Sequence, residues 1–255
     1  MPSSIFDTRE FNERLFFPRR QAGQPPPDAT DLSIPVEGAT LHLRWHRPLR
    51  QADAQTLLLF HGNGEVVSDY DDAASRFAAC GANLAVVDYR GYGQSTGTPT
   101  LRDALRDAPL VVEALTAAGA SRLVVMGRSL GSASAAELYA RPHAAIARFV
   151  WESGFVDLGA LVGRRGLTVP SPFSEEDLAT FDARAKLRRG DRPMLVLHGA
   201  EDTLIVPAEA TLAFEAAGTS EKELVFIPDR GHNDLSAGRA YWDALTRHLA
   251  DSTYP

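Results

Sequence analysis

The sequence predicts an α/β fold with a mostly parallel central sheet and helices on both faces. Two patterns point to it. Short runs that are apolar throughout recur along the chain: QTLLLF (55–60), NLAVVD (83–88), RLVVM (122–126) and PMLVLHG (193–199). Strands of that kind are buried on both faces. Longer stretches of helical character separate them, and this alternation builds parallel sheets. A chain of 255 residues suits a single domain of this class, spanning 1–255.

Each element can be taken in order. After an N-terminal segment ending in the loop QAGQPPPDAT (21–30), TLHLRWH (40–46) alternates like a strand. QTLLLF runs into HGNGE (61–65). SDYDDAASRFAACG (68–81) reads as a helix with Ser68 as its N-cap and Gly81 as its stop. NLAVVD is the next strand, and the glycine-rich loop YRGYGQSTGTPT (89–100) follows it. LRDALRDAPLVVEALTAAG (101–119) is helical, with Pro109 expected to kink or interrupt it. RLVVM is a strand, SASAAELYA (132–140) a helix and ARFVWE (147–152) a strand. PMLVLHG and KELVFIP (222–228) complete the strands around the helix PAEATLAFEAAG (207–218), and RAYWDALTRHLA (239–250) closes the chain. Residues 153–192 break the alternation with glycines, prolines and mixed charge. They read as a surface insertion or small lid between strands.

Composition excludes several function classes. A formal charge of −7, with no basic run interleaved with aromatics, argues against a nucleic-acid partner. The opening MPSSIFDTREFNERLFFPRR has no continuous apolar stretch of the signal-peptide type. The longest apolar runs are too short for a membrane span. Cys80 is the single cysteine, so an internal disulfide and a thiolate metal site are both excluded; it reads as a small buried helix residue. No H-E-x-x-H motif occurs. The expectation is a cytoplasmic protein with no metal and no cofactor. No signal for an oligomeric state is present.

Two copies of G-x-S-x-G carry the chemistry: GQSTG (93–97) around Ser95 and GRSLG (127–131) around Ser129. A serine works as a displayed nucleophile when a strand ends directly at it and a helix starts directly after it. The sharp turn then exposes the hydroxyl, and the helix start points N–H groups at developing negative charge. GRSLG meets each condition, with RLVVM before it and SASAAELYA after it. GQSTG does not, because YRGY intervenes after Asp88 and Gly97 and Pro99 favour a turn. Ser95 therefore reads as a loop serine making local hydrogen bonds, and Asp88 as a brace for the RGYG loop.

A serine hydroxyl needs a base to take its proton and an acid to orient that base. In the chain order Ser…Asp/Glu…His, both partners follow later strands. Asp202 in HGAEDTLIVP and His232 in FIPDRGHNDL meet this condition. Glu152, which ends the strand before residues 153–192, is the alternative acid; strand-end placement favours Asp202. His61 and His198 precede glycines at strand ends and read as partners of loop backbone, while His42, His46, His143 and His248 read as surface residues. Arg128 is expected to face away from the pocket and brace a neighbouring loop.

In this order HGNGE, VVDYRGYGQSTG, GRSLG, HGAEDTLIVP and GHNDL resemble the elements of the α/β-hydrolase superfamily of serine hydrolases, its esterase and aminopeptidase-like branch. The resemblance covers about residues 35–250. It implies the α/β-hydrolase fold, with Ser129 as nucleophile, His232 as base and Asp202 as orienting acid. It also implies an oxyanion hole built from the Leu130 N–H and an N–H after HG, with Asn63 the first choice and Gly64 its neighbour. The implied reaction is cleavage of carboxylic or thio-esters of small-molecule acyl substrates through an acyl-enzyme. An aminopeptidase-like serine peptidase is the second reading, with Glu175, Glu176 and Asp177 as the cluster that could anchor a substrate N-terminus. A non-catalytic binding protein on the same fold is the third, because fold does not establish function.

Overall fold

The computed structural model describes residues 4–49, 51, 54–141, 143–170 and 172–250. Among them, eight strands form one sheet: β1 (Ala29–Val36), β2 (Ala39–His46), β3 (Thr56–Phe60), β4 (Asn83–Val87), β5 (Leu123–Arg128), β6 (Ile146–Glu152), β7 (Met194–Gly199) and β8 (Lys222–Ile227). Their order is β1-β2-β4-β3-β5-β6-β7-β8. β1 pairs antiparallel with β2, and β2 with β4; every later neighbour is parallel. The apolar strands are apolar throughout because both faces are covered. Leu58, Phe60, Val125 and Val196 point to one core with helices α3 (Leu101–Ala117) and α4 (Ser132–Tyr139). Leu57, Leu59, Val124, Met126 and Leu197 point to the other, with α2 (Ala74–Ala79) and α9 (Arg239–Ala250).

The N-terminal segment is more structured than its sequence suggests. A 3₁₀ turn at Ile5–Asp7, helix α1 (Arg9–Leu15) and edge strand β1 all precede the first expected strand. Thr8 caps α1 by accepting the Phe11 N–H, and the helix buries Phe11 and Leu15. β1 escapes the apolar pattern because only Ile34 along it is buried; its Pro35 is tolerated because β1 lies at the sheet edge.

Two expected helices differ from their sequence reading. Residues 68–81 are not one helix: a 3₁₀ turn at Val67–Tyr70 precedes α2. Ser68 is not an N-cap, since the Val66 N–H takes Asp69 as acceptor and fixes that turn. Gly81 does end α2, in the left-handed conformation with φ +96°. Pro109 does not interrupt α3, which is continuous. A proline inside a helix costs about 3 kcal/mol. The buried face formed by Leu101, Leu105, Ala108, Val112 and Leu115 outweighs that, because a buried Leu or Val contributes about 1.5–3 kcal/mol.

Between β6 and β7 run α5 (Leu158–Arg164), α6 (Glu175–Phe181) and α7 (Ala183–Leu187), and α8 (Ala208–Ala216) links β7 to β8. Leu161, Val162, Phe181 and Leu187 join the core, and α7 packs on α4 and α8. Among the described residues no helix is long and apolar enough to cross a membrane.

His42 and His46 are buried, contrary to their surface reading. With Arg44 they form the polar face of β2, opposite Leu41, Leu43 and Trp45. β2 is an interior strand, so that face is covered. Arg44 forks onto Asp31 at 2.8 and 2.9 Å and reaches Asp71 at 2.9 Å. His42 bridges Asp31 and Asp88, each at 3.1 Å. The two histidines stand four residues apart, which on a strand separates them by roughly 13 Å and keeps them from converging on one ion.

Asp88 anchors the loop that follows β4. It is fully buried and accepts the Val67 N–H at 3.0 Å. Burial works against its charge, but contacts with His42, His61 and the Val67 N–H pull its pKa down to about 2. A side chain at Gly93 would meet its carboxylate at 2.0 Å, so the RGYG turn closes over Asp88 only as glycine. Ser95 completes the join by donating to the Asp88 carbonyl at 2.9 Å and accepting the His42 N–H at 2.8 Å.

Two outcomes are expected. Pro109→Ala restores a helix hydrogen bond and should raise unfolding stability by about 1–3 kcal/mol in urea titration; a lower midpoint would show that α3 is shaped around the proline. Asp88 has its folded pKa below the unfolded value of about 4. Its stabilisation is therefore present above pH 4 and lost as pH falls through about 2. Asp88→Asn should remove roughly 2–3 kcal/mol at pH 7 and flatten the loss of stability below pH 4. An unchanged acid limb would refute that assignment.

Candidate active site

The turn from β5 into α4 is built on close backbone approach. Ser129 has φ 51°, a left-handed conformation that non-glycine residues seldom adopt. A Cβ on Gly127 would lie 2.6 Å from the Ala135 Cβ and from the Gly131 carbonyl oxygen. A Cβ on Gly131 would lie 1.9 Å from the Phe60 carbonyl oxygen. Both glycines of GRSLG are therefore required, and the second sets the serine turn against the end of β3. Such strain persists only where the surroundings over-determine it.

His232 lies in the loop after β8. Its Nε2 is 2.9 Å from Ser129 Oγ, and its Nδ1 is 2.7 Å from Asp202 Oδ2. Asp202 sits after β7, with Oδ1 accepting the N–H groups of Leu204 and Ile205, both at 2.9 Å. His198 Nε2 donates to the Ile205 carbonyl and lies 3.3 Å from Asp202 Oδ2. Burial opposes the charge on Asp202. Hydrogen bonds from His198, His232 and the Ile205 N–H outweigh burial and hold its pKa well below the usual carboxylate range. An ionised carboxylate only accepts, so His232 Nδ1 carries the proton toward Asp202, and Nε2 of the neutral ring accepts the Ser129 hydroxyl.

The two loops are stitched together. The Ala200 N–H donates to the Ile227 carbonyl at 3.0 Å, and the Glu201 N–H to the Arg230 carbonyl at 2.9 Å. Asp229 bends the second loop with φ 56°, and the Gly231 N–H donates to Asp234 at 2.8 Å. Asp202 and His232 thus share one rigid corner at the strand ends.

Other sequence candidates lie elsewhere. Glu152 accepts the Tyr241 hydroxyl at 2.7 Å and sits 3.6 Å from Arg128; burial raises its pKa. Arg128 points from the serine turn to the histidine loop, donating to the His232 carbonyl and to Asn233. The Asn63 side chain is engaged with the N-terminal segment: it donates to the Leu15 carbonyl at 2.5 Å and accepts from the Phe17 N–H and the Tyr92 hydroxyl. Of the acidic cluster, Asp177 takes the Ser4 hydroxyl and Glu176 lies 3.7 Å from Arg102.

Sequence reasoning passed over Glu65. Its Oε2 accepts the Gly62 N–H at 2.7 Å and the Tyr70 hydroxyl at 2.5 Å, which shapes the HGNGE turn. The only available sign was its place three residues after Gly62.

Comparison with known proteins agrees with this architecture. The family described as serine aminopeptidase, S33, matches residues 51–176. The chain is 29% identical over 204 residues to protein bem46 of Schizosaccharomyces pombe, covering 77% of this chain and 68% of that protein. It is 26% identical over 235 residues to the alpha/beta hydrolase domain-containing protein WAV2 of Arabidopsis thaliana, covering 84% and 75%. Among solved structures, the esterase Pf2001 of Pyrococcus furiosus superposes with a TM-score of 0.72 at 19% identity, covering 91% of this chain and 95% of that one. A hydrolase of Pseudomonas aeruginosa superposes with a TM-score of 0.67 at 21% identity, covering 88% and 99%. With its mostly parallel sheet and strained serine turn the chain has the α/β-hydrolase fold, and its sequence similarities lie within the α/β-hydrolase superfamily.

Proposed function

We propose that the protein is a serine esterase that cleaves carboxylic or thio-esters of small acyl substrates through an acyl-enzyme. The observation that carries this reading is the unbroken chain from Ser129 Oγ to His232 to Asp202, at 2.9 and 2.7 Å. Ser129 Oγ attacks the acyl carbonyl carbon while its proton passes to His232 Nε2. Asp202 stabilises the imidazolium that forms. The carbonyl electron pair moves to oxygen, where the N–H groups of Leu130 and Asn63 receive it; one such donor supplies about 2.7–4 kcal/mol. Collapse expels the alcohol or thiol, which takes the His232 proton. Water then attacks the acyl-enzyme with His232 again as base, releasing the acid and restoring Ser129.

Two further observations support an ester over a peptide. Of the carboxylates that could hold a substrate amine, Asp177 is engaged with Ser4 and Glu176 lies beside Arg102. Exposed apolar side chains flank the site residues, Phe17 at the Asn63 contact and Leu204 and Val206 after Asp202. These suit an apolar acyl chain. Asn63 is the first choice for the second donor because it directly follows HG at the end of β3.

Hydrolysis of p-nitrophenyl esters of increasing acyl length tests this reading. Ser129→Ala should lower kcat by roughly 10⁴–10⁶-fold with KM little changed. A fluorophosphonate probe should label Ser129 alone. Equal rates in both proteins, or a label on Ser95, would refute it; turnover of aminoacyl-arylamides in preference to esters would favour the peptidase.

A further inference from the structure

The Arg128 side chain takes no part in the steps above, yet it touches three separate parts of the site. It is only 11% exposed. Nη1 donates to the His232 carbonyl at 3.3 Å and lies 3.6 Å from Glu152 Oε1. Nη2 donates to Asn233 Oδ1 and pairs with Glu65 Oε1, both at 3.0 Å. Glu65 carries the chain onward, because its other oxygen holds the Gly62 N–H and the Tyr70 hydroxyl. Glu152 is held in turn by Tyr241. One guanidinium therefore joins the backbone of His232, the turn containing Asn63 and the end of β6.

We propose that Arg128 is a positioning residue that couples the histidine loop to the HGNGE turn and sets both against Ser129. The proposal rests on the esterase reading. Arg128 adjoins Ser129 in the chain, so its side chain is rooted in the same turn as the nucleophile. Its fork is matched to several acceptors at once. A lysine ammonium carries the same charge without that planar geometry. Without a cation, Glu65 and Glu152 would face each other as neighbouring carboxylates in a buried place. Glu65 would then withdraw from the Gly62 N–H, and the turn carrying the Asn63 N–H would lose its brace. A role in gripping an anionic substrate fits less well, because these contacts occupy both terminal nitrogens inside the protein.

The test compares kcat, KM and fluorophosphonate labelling for wild type, Arg128→Lys, Arg128→Met, Glu65→Gln and the Arg128→Met/Glu65→Gln double variant. The substrate is p-nitrophenyl butyrate, and kcat is expressed per titratable serine so that unfolded protein does not count. Arg128→Lys and Arg128→Met should each lose roughly 10–100-fold in kcat per site, with KM within about threefold. Glu65→Gln should lose less. The double variant should fall no further than Arg128→Met alone, because both changes break one linkage. In one further variant, Arg128→Ala, methylguanidinium at millimolar concentration should restore part of the lost turnover. A merely structural role would lower the number of titratable sites and leave kcat per site unchanged, and that result overturns the proposal. So does a change confined to KM. Should Arg128→Met fail to fold, Arg128→Lys and Glu65→Gln decide by the same criteria. Ser129→Ala separates the two claims. If it remains active the esterase reading fails. If it is dead while kcat per site survives every Arg128 change, only the positioning claim fails.

Discussion

The architecture of this site depends on one backbone contact, the approach of Gly131 to the carbonyl of Phe60. No side chain fits there. Because β3 and β5 are parallel neighbours, that contact puts the end of β3 beside the start of α4. The residues that follow β3, His61 to Glu65, then border the serine turn. The positive φ of Ser129 follows from the same geometry, since the chain must leave a strand and enter a helix within the space of one peptide. A strained serine is the cost of displaying its hydroxyl, and the packing of Gly127 and Gly131 holds it there.

Charge is organised around the same edge in two separate buried clusters. One, centred on Asp88 and Arg44, holds the RGYG loop and the polar face of β2. The other, centred on Arg128, touches the loops that carry His232 and Asn63. In both, a buried charge meets several fixed partners, as burial requires. Asp202 follows the same rule, with the Leu204 and Ile205 N–H groups, His198 and His232 around one carboxylate. Asp88 and Asp202 are each paired with imidazoles, but only the imidazole of His232 also reaches a serine hydroxyl.

Much of this was legible from residue order. The apolar strands, the helices between them and the strand–turn–helix setting of Ser129 are local patterns, and local patterns survive folding. That Asp202 and His232 would fall beside the serine turn could be foreseen because strand ends converge on one edge of a parallel sheet. Less local features were hidden. β1 is half exposed and carries no apolar run; α1 is short and is stabilised chiefly by burying Phe11 and Leu15. Pro109 looked like a break because packing of the rest of α3 cannot be weighed from spacing. His42 and His46 looked superficial because nothing in TLHLRWH says that Asp31 and Asp88 will cover the first and Asp71 the second. Glu65 and the three-way reach of Arg128 are properties of side-chain direction, on which sequence is silent.

The Asn63 side chain has a dynamic consequence. It ties the carbonyl of Leu15 and the N–H of Phe17 to the HGNGE turn that follows β3. The N-terminal segment is therefore a latch on the turn that we propose supplies one oxyanion donor. Short terminal elements open and close more readily than a central sheet. Each opening of residues 15–17 would release Asn63 and blur the position of its N–H. A fluctuation at the molecular periphery would in this way be felt as a change in the fraction of time the site is ready to react.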